Sequence, residues 1–125
     1  MIAIGLGCRK TCPCDDIVLL VHACLRDAAL TSAPAGLFTI DEKREETGLI
    51  EAAAKLGLPL AFLDRATLAK AAPRAKTRSE RVQSLFNLPS IAETAALAGA
   101  GEDSHLLLPR IARGFATCAI AESLS

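Results

Sequence analysis

The alternation of strand-like and helix-like segments is the feature of this sequence that most constrains its fold. Short apolar runs alternate with segments in which apolar residues recur every three to four positions. Parallel strands need a crossover element between them, and that element packs on the sheet as a helix. A chain of 125 residues suffices for one such unit. We therefore predict a single α/β domain over residues 1–125, with a mixed, mostly parallel sheet of about five strands flanked by helices.

Five apolar runs have the length and composition of strands. Turn-forming residues border several of them, with Gly7 after the first run and Pro34 and Gly36 before the second. The predicted strands are Ile2–Leu6, Leu37–Ile40, Leu58–Leu63, Leu106–Leu108 and Phe115–Ala121. The last two are expected to form an antiparallel pair joined by Pro109–Gly114. Right-handed crossovers then put the loops at Gly5–Lys10 and Thr39–Lys43 on one shared edge of the sheet.

Helical spacing is clearest after Pro13, where a strongly apolar face follows two aspartates that favour the helix dipole. The second helix ends at Gly57, and Ser90 with Glu93 forms a capping-box pattern at the start of the last one. The predicted helices are Asp15–Ala29, Thr47–Leu56, Asp64–Ala72, Ser79–Phe86 and Ser90–Gly99, with a basic loop at Pro73–Arg78.

Charge and composition exclude several classes of function. Lys and Arg number 14 and Asp and Glu also 14, and the chain contains no Trp or Tyr. Neither a global positive field nor aromatic stacking platforms are therefore available for nucleic acid. The longest apolar stretch, Ile17–Leu30, is interrupted by charges and is too short to span a bilayer. The N-terminus does not resemble a signal peptide, so we predict a cytoplasmic protein without nucleic-acid or membrane partners.

The cysteines do not form a recognisable metal or disulfide pattern. In the cytoplasm the five thiols are expected to be reduced. Cys8, Cys12 and Cys14 follow a C-x3-C-x-C spacing that departs from zinc and iron–sulfur motifs. Gly5-Leu6-Gly7 lacks the third glycine of a dinucleotide fingerprint. We predict no metal and no cofactor.

Polar residues concentrate where the predicted strands end, which is where ligands bind in open α/β sheets. Gly7–Thr11 follows the first strand, Asp41–Glu46 the second, and Arg110 the fourth. Six basic and two acidic residues lie between Asp64 and Arg81. This concentration of positive charge suits a polyanionic small molecule, although solvated basic loops would give the same pattern. Asp41 is the carboxylate best placed to act as a general base.

The successive motifs resemble one family, which comprises the cobalamin-biosynthesis protein CobE and the C-terminal domain of CbiG. The resemblance covers nearly the whole chain, and its specificity lies in the order of six short motifs. They are Gly5–Arg9; Thr39–Lys43 with Glu46, Gly48 and Leu49; Leu56–Leu60; Pro89–Glu93 with Ala95–Leu97; Leu107–Arg110; and Ala116–Ala121. Lys10–Pro13 replaces a turn richer in glycine and serine, and Arg110 stands where the family commonly has lysine.

The resemblance implies a role in vitamin B12 synthesis. The longer CbiG proteins open a lactone on a cobalt-containing corrin precursor and release acetaldehyde, whereas the stand-alone members are associated with the oxygen-dependent route. Corrin precursors carry many carboxylates around an apolar macrocycle, which suits basic loops around an apolar crevice. Within the matching motifs, the implied ligand-binding residues are Gly7, Arg9, Thr39, Lys43, Glu46, Ser90 and Arg110.

Two main functions remain open at this point. The first is binding or delivery of a corrin or precorrin intermediate, with Arg9, Lys43 and Arg110 holding its carboxylates. The second is a small hydrolase or isomerase acting on that intermediate, with Asp41 or Cys8 as base or nucleophile. Binding is favoured, because no complete catalytic set can be assembled from the sequence. A third possibility is a structural partner of another enzyme of the pathway.

Overall fold

The computed structural model describes residues 1–30 and 32–124. Five strands form one sheet in the order β3-β2-β1-β5-β4. The strands are β1 (Ile2–Cys8), β2 (Gly36–Ile40), β3 (Leu60–Leu63), β4 (His105–Arg113) and β5 (Ala116–Glu122). The helices are α1 (Cys14–Ala28), α2 (Thr47–Leu56), α3 (Arg65–Ala71), α4 (Glu80–Phe86) and α5 (Ile91–Ala100).

The sheet is mixed, as predicted, but "mostly parallel" needs correction. The β1–β2 and β2–β3 pairs are parallel, whereas β1–β5 and β4–β5 are antiparallel. Only two of the four strand pairs are therefore parallel, because β5 inserts between β1 and β4 in the opposite direction. The predicted sharing of one edge by the loops after β1 and β2 is confirmed, since these neighbouring strands run parallel.

Helices cover both faces of the sheet. On one face, α1 and α2 enclose a core with the larger side chains of β1, including Ile2, Ile4 and Leu6. On the other, α5 packs on the small residues of β1 that alternate with them, Ala3 and Gly5. A Cβ at Gly5 would lie 1.9 Å from the carbonyl oxygen of Ala92, so the glycine permits backbone contact between strand and helix. The alanine-rich composition thus serves close helix–sheet packing.

The largest error in the predicted elements concerns β4. This strand runs through Pro109, whereas the sequence predicted a break at Pro109–Gly114. Proline is tolerated because β4 is an edge strand whose register shifts between Leu108 and Ile111. The hairpin turn is only Gly114-Phe115, with Gly114 at φ 57°. β1 is also longer than predicted, and β3 begins at Leu60 rather than Leu58.

Candidate functional site

A cleft of about 760 Å³ opens at the edge of the sheet where β1 and β2 end. The register pairs Cys8 with Ala116, so the β4–β5 hairpin reaches the same edge. The hairpin forms one wall of the cleft and α4 forms the other. The C-terminal end of β1 and the start of α5 lie between these walls. The topology therefore brings together segments that are far apart in the sequence.

The lining of the cleft combines cations with apolar side chains, and we call it the basic cleft. Its cations are Arg9, Lys10, Lys43, Arg81 and Arg110. Its larger apolar residues are Val82, Leu85, Phe86, Ile91 and Phe115. Neither Asp nor Glu occurs among the described residues that line it. The surface is thus suited to an anion that also has an apolar body.

Arg9 lies at the hairpin side of the basic cleft. Its backbone N–H donates to the carbonyl oxygen of Phe115 over 2.9 Å, and its guanidinium lies 5.6 Å from the centre of the Phe115 ring. Asp41, the acidic residue that directly follows β2, pairs with Arg44 at 2.7 Å rather than with Arg9. The Arg9 side chain is thereby held against an aromatic face at an exposed position.

Lys43 approaches the opposite wall. Its Nζ lies 5.9 Å from the centre of the Phe86 ring, and the Arg65 guanidinium lies 5.4 Å from the same centre. Arg65 in turn pairs with Glu42 at 2.6 Å. Two cations therefore lie close to the Phe86 ring, and the same ring contributes apolar surface to the basic cleft.

Ser90 and Glu93 fix the start of α5. The Ser90 hydroxyl accepts from the Glu93 backbone N–H over 3.1 Å, which is the expected N-cap contact. The Glu93 carboxylate does not complete the predicted capping box. Instead it accepts from the backbone N–H groups of Lys76, Thr77 and Arg110 over 2.8, 2.9 and 2.9 Å. Although burial raises its pKa, these hydrogen bonds outweigh burial and lower it.

Six of the nine residues predicted for the site line the basic cleft: Gly7, Cys8, Arg9, Lys43, Ser90 and Arg110. The other three are absent from its lining and make internal contacts. The Thr39 hydroxyl is buried and donates to the Leu6 carbonyl over 2.7 Å. Glu46 accepts from the Thr11 N–H over 2.7 Å and thereby braces the loop after Arg9. Asp41 forms its ion pair with Arg44.

The α4 wall was not identified from the sequence. In the sequence, Arg81 stands out only as part of a basic segment, and Val82, Leu85 and Phe86 only as part of a predicted helix. The available signal was their helical spacing, which places Arg81 with Leu85 and Val82 with Phe86 at i, i+4. That spacing predicts shared faces of a helix, but not which element the faces meet.

Cys8 is poorly suited to act as a nucleophile. Burial raises the pKa of its thiol to about 12, and this effect outweighs the opposing influence of Lys43. At neutral pH the side chain is therefore a thiol rather than the reactive thiolate.

We accordingly expect Cys8 to react with iodoacetamide at least about tenfold more slowly than an ordinary thiol at pH 8, since its pKa is raised from 9.0 to about 12 and the greater nucleophilicity of the thiolate offsets only part of that loss. Peptide mass mapping over time gives the rate for Cys8, and N-acetylcysteine in the same tube provides the reference. Labelling of Cys8 at the reference rate would contradict this assignment and return Cys8 to the candidates for catalysis.

Within residues 1–30 and 32–124, none of the helices is long and apolar enough to cross a membrane. The same part of the chain holds no group of three or more His, Cys, Asp or Glu side chains placed to bind a metal ion.

The fold and the basic cleft define a three-layer α/β protein with a cation-lined cleft at one edge of its sheet. The chain belongs to the family described as cobalamin synthesis G C-terminus, whose model matches residues 2–121. It is thus a protein of cobalamin biosynthesis, and the family inferred from the six motifs is confirmed.

Individual relatives agree with this assignment. Protein CobE from Sinorhizobium sp is 34% identical over 121 residues, which cover 96% of this chain and 79% of the relative. The crystal structure of a CobE from the vitamin B12 pathway matches with a TM-score of 0.91 and 31% identity, covering 99% of this chain and 91% of that one. The cobalamin biosynthesis protein chiG from Agrobacterium tumefaciens matches over 100% of both chains, with a TM-score of 0.79 and 32% identity.

Proposed function

We propose that this protein binds and delivers a corrin or precorrin intermediate with free carboxylates, in the oxygen-dependent route of cobalamin biosynthesis in the cytoplasm. The observation that carries the proposal is the lining of the basic cleft, which has five cations and, among its described residues, no carboxylate. In a neutral chain such a one-sided distribution creates a local positive potential that attracts a polyanion.

The two kinds of side chain in the basic cleft match the two parts of the ligand. Arg9, Lys43 and Arg110 are positioned to hold acetate or propionate carboxylates, and arginine can do so through two parallel hydrogen bonds. Leu85 and Phe115 line the cleft and are about half exposed, so they offer apolar contact to the macrocycle. The volume of about 760 Å³ lies within the usual range for small-molecule sites.

Binding is preferred over catalysis because neither proposed catalytic side chain is well placed. The Cys8 thiol is held in its protonated form, and Asp41 is paired with Arg44 away from the cleft lining. A hydrolase or isomerase acting on the same intermediate is the alternative function. In a delivery role, the protein would pass the bound intermediate to another enzyme of the pathway.

Incubation of the purified protein with a free-carboxylate corrin distinguishes these functions. We expect a saturable shift in the corrin absorbance, and a recovered corrin of unchanged mass. A product of altered mass would favour the enzyme, whereas a spectrum identical with and without protein would remove the proposed ligand. An unchanged spectrum together with an unchanged mass is also the result expected of a purely structural partner of another pathway enzyme.

A further inference from the structure

Glu93 lies behind the basic cleft, between its two walls. Its side chain is fully buried, and both carboxylate oxygens accept hydrogen bonds from backbone N–H groups. Oε1 accepts from Lys76 and Thr77 over 2.8 and 2.9 Å, and Oε2 accepts from Arg110 over 2.9 Å. One carboxylate therefore joins two chain segments that are more than thirty residues apart in the sequence.

Each of these segments leads to one wall of the cleft. Arg110 belongs to β4, which forms the hairpin wall. Ser79, two residues after Thr77, caps α4 through its hydroxyl and donates its N–H to the Pro89 carbonyl over 2.8 Å. Val82 and Phe86 pack against the core, but none of the residues of α4 is fully buried, so contacts at the helix terminus contribute to holding it in place. The position of the α4 wall thus depends in part on the hydrogen bonds at the helix's N-terminal side.

A buried carboxylate is a poor means of stabilising a fold, since an apolar side chain of similar size at the same position often gives equal folding stability. Its advantage is geometric, because three short charge-assisted hydrogen bonds tolerate little displacement of their donors. Here the donors are backbone groups, so the positions of the two walls themselves are fixed relative to α5.

We infer that Glu93 is a positioning residue, which sets the separation of Arg110 and Arg81 across the basic cleft and so matches them to the carboxylates of one ligand. This inference rests on the proposed function. Glu93 does not line the cleft, so its effect on the ligand passes through the two arginines.

A double-mutant cycle tests the inference. Glu93→Gln keeps the side-chain shape but turns an NH2 group toward backbone N–H donors, which must then move apart. We expect Glu93→Gln to bind a free-carboxylate corrin about tenfold more weakly than wild type. Absorbance titration at a temperature below the thermal unfolding of each variant measures the affinity. In an Arg110→Ala or an Arg81→Ala background the same change should weaken binding by less than about threefold, because the side chain that it positions is absent.

A merely structural role would give a different pattern. Val21→Ala serves as the control for lost stability, since Val21 is buried in the core on the opposite face of the sheet, and this variant should bind like wild type. Equal losses from Glu93→Gln in all backgrounds would overturn the inference. Should Glu93→Gln fail to fold, Glu93→Asp goes through the same cycle with the same expected coupling. Failure of the wild-type protein to bind would instead overturn the proposed function.

Discussion

The Gly5→Ala variant is expected to lose about 3 kcal/mol of its free energy of unfolding, a large share of the stability of a small domain. The added Cβ would lie 1.9 Å from the Ala92 carbonyl oxygen and 2.5 Å from the Ala96 nitrogen. Both are backbone atoms of α5, so no side chain can rotate away and the helix itself must shift. Because Ser90 and Ile91 at the start of α5 line the basic cleft, ligand binding should weaken as well.

Urea denaturation followed by circular dichroism measures this loss. Gly36→Ala is the matched control, since it makes the same change in the neighbouring strand, where the nearest atom to the added Cβ lies 3.1 Å away. We expect the control to lose less than about 1 kcal/mol. Equal stability of the two variants would show that α5 does not pack on β1 at backbone contact distance.

The double variant Arg9→Ala with Arg110→Ala is expected to bind a free-carboxylate corrin about 10²- to 10⁴-fold more weakly than wild type. Each substitution removes a charge-assisted hydrogen bond to a carboxylate, worth about 1.5–3 kcal/mol. Arg9→Ala alone should account for about half of the loss in free energy, and Arg9→Lys should recover only part of it, because lysine lacks the planar guanidinium.

Titration calorimetry gives these affinities, and thermal melting checks that the variants fold. Arg26→Ala is the control for removal of positive charge, because Arg26 is exposed on α1 and is not among the residues of the cleft. It should change the affinity by less than about threefold. A double variant that binds normally, or one that melts many degrees below wild type with its affinity intact, would make these arginines structural.

Sequence patterns predicted most helices and strands of the fold because each pattern arises from interactions within a single element. The spacing of apolar residues in α1 and the glycine that ends α2 depend on the helix alone. The strand through Pro109 was missed because proline is acceptable only at an irregular edge, and a sequence does not say which strand is at the edge. The position of β5 between β1 and β4 is likewise a tertiary property.

The part of the candidate site formed by the ends of strands was predictable from the sequence. The part formed by the distant helix α4 was not. Cys8 ends β1, Arg9 follows it and Lys43 follows β2, and the crossover rule brings these strand ends together. Phe86 reaches the cleft from α4, whose docking depends on contacts far along the chain. The role of Glu93 could not be predicted from its motif. Its spacing from Ser90 fits a capping box, but its carboxylate accepts hydrogen bonds from three backbone N–H groups outside α5.

The most direct test of the central claim compares two ligands on the wild-type protein: a corrin with free carboxylates and its fully methyl-esterified form. The macrocycle is the same, so the difference isolates the contribution of the cations in the basic cleft. We expect calorimetry at low salt to give at least about 100-fold tighter binding of the free acid, with the preference reduced by added salt. Equal affinities for acid and ester, or no binding of the acid, would contradict the account.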